Sequence, residues 1–236
     1  MTSPVTPFGS GRPTPSVYAA GRAPLAAGQG EPRGDTGPLA FRRSPGADLE
    51  EKLLTGSKRS ARLREVPFAT HLALRASTRE AVAAVEAALG VSLPDRVGRV
   101  TTGQRGPGRP VSVVWLGPDE WLAVLGDEAV TGESGAALVL ELEAALAGHR
   151  GQVVDVSANR ATLELSGPSA RTVLDKVVHL DLHPREFAVG TAVATLLEGV
   201  PVVLWRTGED TWHVLPRASF TEFIVGWLLD GMRELD

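Results

Sequence analysis

Apolar and polar positions alternate along PFATHLALRA (67–76), which predicts a strand. In STREAVAAVEAALG (77–90) the period changes to helical. Val82, Val85 and Leu89 form a stripe, Ser77-x-x-Glu80 opens the helix as a capping box, and Gly90 closes it. RVTTG and VSVVWLG predict two strands separated by a Gly/Pro/Arg-rich loop at 103–110, and Pro118-Asp119-Glu120 turns the chain into a further strand, WLAVLG. ALVLELEAALAG (137–148) predicts a second helix with Leu138, Leu142, Ala145 and Leu146 on its buried face.

The second half repeats this plan. GQVVDVS and ATLELSG read as strands around Ala158-Asn159-Arg160. A helix is expected from Pro168 to about His179, with Val173, Leu174, Val177 and Val178 on one side. VGTAVATLLEG and VPVVLWRT predict a hairpin around Glu198-Gly199, and DTWHVLP a further strand. ASFTEFIVGWLLDGMREL closes the chain as a helix. Ser219-x-x-Glu222 suggests its cap, and Phe220, Phe223, Ile224, Trp227 and Leu228 its buried stripe. The order β-α-β-β-β-α, then β-β-α-β-β-β-α, predicts an α+β fold. Its two similar halves, about 61–148 and 149–236, each hold a mostly antiparallel sheet with helices on one face.

Composition changes the picture most at the start. The first 46 residues hold 8 of the 17 prolines and 8 of the 26 glycines, with few large apolar residues and no period. Such a segment cannot offset its ordering entropy by burial, so residues 1–60 are expected to form a disordered extension. The net charge of −4 argues against nucleic acid as a partner. The absence of cysteine excludes disulfides, thiolate nucleophiles, cysteine zinc sites and iron–sulfur clusters, and fits a cytoplasmic protein. No apolar run reaches the roughly 18–20 residues of a membrane span. The first residues lack the charged start and apolar stretch of a secretory signal.

Four groups of residues invite a chemical reading. Gly167-Pro168 leads into a helix whose free N–H groups could hold an anion, but the loop lacks the further glycines and the Lys-Ser/Thr of a phosphate cradle. Asp119 and Glu120 could be an acid/base pair, yet neighbours on a strand point to opposite faces, so they are expected to be turn residues. His179, Asp181 and His183 have metal-like spacing only on a helix, which Pro184 disfavours. An extended, solvated edge with Leu180 and Leu182 facing inward is expected instead. Asp155, Ser157 and Arg160 could assemble with His213 for acyl transfer, but no GxSxG elbow presents a nucleophile. The five tryptophans all follow residue 114; most are expected in the core, with some anchoring an interface. The motifs therefore predict no catalytic and no metal-ligating residue, and they identify no cofactor-binding residue.

REVPFATHLALR, WLGPDEWLAV, VVDVSANRATLELSGPSARTVLDKVVHLDLHPREFAVG and RASFTEFIVGWLLD, in this order over most of the chain after residue 60, resemble the gamma-subunit family of bacterial heterotetrameric sarcosine oxidase. The Pro/Gly-rich start lies outside the likeness, and loop 103–110 is less typical of it. The resemblance implies a fold similar to the folate-binding aminomethyltransferases. It also implies membership in a complex that oxidises the N-methyl group of sarcosine, yielding glycine and hydrogen peroxide and passing the one-carbon unit to tetrahydrofolate. FAD, FMN, NAD and zinc would belong to the alpha, beta and delta subunits, and a large subunit carries its own folate region. No catalytic residue carries over onto this chain, so the implied role is structural or accessory. The alternative is a free-standing folate-binding or aminomethyltransferase-like protein, which would need an acid placed against the pteridine.

Overall fold

Residues 38–236 are described in a computed structural model of the chain. Their elements are α1 (Glu50–Gly56), β1 (Arg62–Glu65), β2 (Thr70–Ala76), α2 (Arg79–Leu89), β3 (Val100–Gln104), β4 (Pro110–Gly117), β5 (Glu120–Leu125), α3 (Glu128–Thr131), α4 (Gly135–Ala145) and β6 (Gly151–Asp155). Then come β7 (Leu163–Ser166), α5 (Ala170–Asp175), β8 (Ala192–Leu197), β9 (Val200–Gly208), β10 (Thr211–Pro216) and α6 (Thr221–Gly231). The strands form two antiparallel five-stranded sheets, β3-β4-β5-β2-β6 and β8-β9-β10-β7-β1. The α+β class read from the sequence is the observed one.

Side-chain parity builds four layers. In β5, Trp121, Ala123 and Leu125 pack with α2 and α4, whereas Leu122 and Val124 turn to the other face. In β9, Val202 and Leu204 pack with α5 and α6, whereas Val203 and Trp205 turn away. The two turned-away faces meet, with Val114, Leu122 and Val124 against Ala192, Val203, Trp205 and Leu215. Helices thus cover the outside of each sheet, and the sheets pack on each other. This is why the central strands read as nearly continuous apolar runs.

Local chemistry fixes the elements. Thr78 caps α2, its hydroxyl accepting from the Ala81 N–H at 3.1 Å, so the cap lies one residue beyond the expected Ser77. Gly90 ends α2 in the left-handed region at φ 70°, as expected. Glu198 and Gly199, at φ 46° and 80°, make the turn between β8 and β9.

The structure differs from the sequence reading at four points. The extension expected to be disordered through residue 60 contains, within 38–60, two short 3-10 turns and α1; its first 37 residues lie outside the described ones. Leu49 and Leu53 are buried in the same core as α6, a contact that no local period announces. The division at residue 148 does not follow the sheets. β1 pairs with β7 in the C-terminal sheet and β6 pairs with β2 in the N-terminal one, because each sheet's edge position is filled from the other side of the crossing. On α6, Ile224, Val225 and Leu228 are buried, while Phe220, Phe223 and Trp227 are 40%, 46% and 38% exposed. The apolar surface of this helix is wider than its buried face, so the three aromatics lie on an outer flank. Ser219 sits in a 3-10 turn (Ala218–Phe220), and among the described residues no side chain caps α6.

Candidate functional site

The chain passes between the sheets twice, from β1 to β2 and from β6 to β7. These crossings lie side by side: Val66 N–H donates to the Thr162 carbonyl at 2.8 Å and Val156 N–H to the His71 carbonyl at 2.9 Å. Between them is a cavity of about 200 Å³, walled by Glu65, Phe68, His71, Asp155, Arg160 and Thr162, with residues 42–45 across one side. Arg42 ties down that strap by an ion pair to Asp127 at 2.8 Å, and its guanidinium lies 4.3 Å from the centre of the Phe68 ring. Phe68 itself holds φ 59°.

His71 is the central polar group. Its backbone N–H donates to Ser157 Oγ at 3.0 Å, and its Nε2 lies 3.1 Å from Thr162 Oγ1. The ring is 1% exposed, and among the described residues its Nδ1 has no hydrogen-bond partner. Burial, reinforced by the Arg160 charge, lowers its pKa to about 3, so it is neutral at pH 7. Ser157 donates from both N–H (2.9 Å) and Oγ (2.5 Å) to Asp155 Oδ1. Arg160 is half-buried and donates to the Leu215 carbonyl at 3.3 Å.

The structure joins Asp155, Ser157 and Arg160 but leaves His213 elsewhere. His213 is fully buried, edge-on to Trp205, and its Nε2 lies 3.3 Å from Glu164. Burial holds the imidazole below its ordinary pKa, so it is neutral and donates Nε2–H to the carboxylate. Burial works against ionisation of Glu164, but the His213 and Arg64 hydrogen bonds overcome it and bring the pKa down to about 2. The histidine that the sequence reading missed is His71. Its only signal is a polar residue inside a strand buried on both faces.

The other candidates take structural parts. Gly167 stands at φ 118° against the Ser60 backbone, and Ser169 and Ala170 N–H donate to the carbonyls of Ser60 and Gly167. Those donors are therefore occupied, and α5 begins at Ala170, later than expected. Asp119 holds φ 61° in the β4–β5 turn, and Glu120 pairs with Arg75 at 2.9 Å. Asp181 accepts from His183 N–H and His183 Nδ1 from Arg185 N–H, so the expected edge is a pair of local turns. Leu182 is buried there, but Leu180 is 39% exposed rather than inward. Among the described residues no group of three or more His, Asp or Glu side chains is placed to hold a metal ion. No helix among them is long and apolar enough to cross a membrane. Trp121, Trp205 and Trp212 are core residues, as expected for most of the tryptophans.

Two repeated α+β units with crossing chains define the class of this protein: it has the aminomethyltransferase fold. Aminomethyltransferase T of the glycine cleavage system from Bartonella henselae shares it with a TM-score of 0.56 at 17% identity, over 78% of this chain and 56% of that one. Residues 75–234 match the family described as sarcosine oxidase, gamma subunit. The sarcosine oxidase subunit gamma of Arthrobacter sp. is 50% identical over 83% of this chain and 92% of its own length, and that of Corynebacterium sp. (strain P-1) is 48% identical over the same shares. A chain of the heterotetrameric sarcosine oxidase from Corynebacterium sp. U-96 superposes with a TM-score of 0.73 at 46% identity, over 82% of this chain and 95% of that chain. The chain belongs to the sarcosine oxidase gamma subunit family.

Proposed function

We propose that this chain is the non-catalytic gamma subunit of a heterotetrameric sarcosine oxidase and acts in its assembly. In this reading the complex removes the N-methyl group of sarcosine, forming glycine and hydrogen peroxide and passing the one-carbon unit to tetrahydrofolate. The alpha, beta and delta subunits hold FAD, FMN, NAD and zinc and bind the folate, and the assembly works in the cytoplasm.

The observation that carries the reading is the likeness to one chain of a heterotetrameric oxidase along nearly that chain's whole length. Packing supports it. The flank of α6 exposes Phe220, Phe223 and Trp227, with the last two rings 6.3 Å apart. Contiguous exposed aromatics suit burial in a permanent interface.

The test is co-expression of the presumed partners with and without this chain, followed by size-exclusion chromatography and a peroxide assay with sarcosine. Co-purification in fixed stoichiometry, and loss of assembly when the chain is omitted, are expected. An oxidase that assembles and turns over normally without it overturns the reading. Methyl transfer to folate by the chain alone would establish the free-standing aminomethyltransferase instead.

A further inference from the structure

We propose that the cavity at the crossing is a binding site for a small oxyanion, a carboxylate or a phosphate, with Arg160 as its countercharge and His71 as a hydrogen-bonding partner. The proposal goes beyond the assembly role and does not depend on it.

The charges around the cavity point to an anion. Glu65 already accepts from Ser44 Oγ at 2.6 Å and from Gly46 N–H at 2.8 Å. Asp155 is taken by the two Ser157 donors. Arg42 is paired with Asp127 and also reaches Glu128 at 3.7 Å. Arg160 differs. Its hydrogen bond goes to a neutral carbonyl, and among the described residues no carboxylate forms an ion pair with it. Arg217 lies directly across a β-bridge from it, outside the cavity wall, and Arg43, which is on the wall, is paired with Asp48. Burial and the Arg217 charge both lower the Arg160 pKa. The acid that opposes them, Glu120, is already engaged by Arg75. A half-buried guanidinium beside a like charge is stabilised by a bound anion, and its planar fork suits two oxygens of a carboxylate or phosphate.

His71 is the second, independent observation. A buried ring nitrogen without a partner costs free energy that a native interior rarely tolerates. His71 is one of the residues that wall this cavity, and Thr162 holds its other ring nitrogen. Because the imidazole is neutral, one ring nitrogen carries a proton and the other a lone pair. With the Thr162 hydroxyl donating to Nε2, Nδ1–H is the ring's remaining donor; it is closed to solvent, so an oxyanion reaches it only if the ring turns towards the cavity. The strap at residues 42–45 and the crossings keep the site small, which favours a ligand of a few heavy atoms.

The experiment titrates the full-length protein separately with acetate and with inorganic phosphate, following the His71 ring signals by NMR and the heat by calorimetry. Saturable binding that shifts the His71 resonances is expected with at least one of the two, and the one that binds more tightly identifies the oxyanion class. Arg160→Gln should weaken it at least about tenfold, with the circular dichroism spectrum unchanged, while Arg171→Gln, on the exposed side of α5 and away from the cavity wall, should leave it intact. Should Arg160→Gln fail to fold, Thr162→Val provides the second variant, and it should remove the His71 response. Absence of saturable binding with either anion overturns the proposal, as does binding that is unchanged in folded Arg160→Gln.

Discussion

Gly167 is the residue at which the most suggestive stretch of sequence turns structural. A Cβ there would lie 2.6 Å from the Ser60 carbonyl oxygen, and φ is 118°. Gly167→Ala should therefore destabilise the protein by about 2–4 kcal/mol, read from urea unfolding, because backbone rather than a flexible side chain must move. The two buried histidines set the acid response. His71 has a folded pKa of about 3 against an ordinary 6.5, so the unfolded chain takes up its proton first as the pH falls. Stability is full above pH 6.5 and declines from there towards 3. Glu164, held at about 2 against 4.5, adds a decline between those values as its pairing with His213 and Arg64 is lost. Thermal melts of His71→Gln between pH 7 and pH 4 should show a shallower loss of Tm than the unsubstituted protein. Equal slopes would mean that His71 is not buried in its neutral form.

Helix α6 separates stability from assembly at two adjacent positions. Leu228 is fully buried among Val225, Ile224 and the α5 residues, whereas Trp227 lies on the exposed flank. Leu228→Asp places an unpaired carboxylate in the core and should cost several kcal/mol, seen as a large fall in Tm or as loss of folded protein. Trp227→Asp should leave the Tm of the chain within a few degrees and abolish co-purification with the partner subunits. The reverse pattern would exchange the two faces. The elements whose signals are local were legible in the sequence: α2 with its terminal Gly90, the turn at Glu198-Gly199, and the alternation of β2. What failed was long-range. The aromatics of α6 have the spacing of a core stripe, and only the width of the sheet beneath decides which are covered. α1 has too few apolar residues to announce itself, and it is fixed by Leu49 and Leu53 entering a core built from residues far along the chain. The site was half legible. Asp155, Ser157 and Arg160 are neighbours in sequence, but their histidine lies on β2, 86 residues before Ser157, and no local pattern favours His71 over His213.

At the scale of the whole molecule the exchange of edge strands ties the two units together. The N-terminal sheet ends in β6, and the C-terminal sheet ends in β1, which pairs with β7 from Arg62↔Ser166 to Glu65↔Leu163. Each crossing also walls the cavity, so the same segments that close the sheets position Arg160 and His71. A cut after residue 148 consequently divides no natural boundary. The fragment ending there keeps β1 without its sheet and exposes the edge of β2; the fragment starting at 149 carries β6 without a partner and leaves the edge of β7 open. Open edges and half-covered cores make both pieces prone to association. Expressed separately, the two should give collapsed or aggregated material without dispersed NMR amide signals. Expressed together they should pair non-covalently, with β1 crossing to β7 and β6 to β2, and recover the spectrum of the intact chain. A dispersed, native-like spectrum from either fragment alone would show that the strand exchange contributes little, and that the units fold independently.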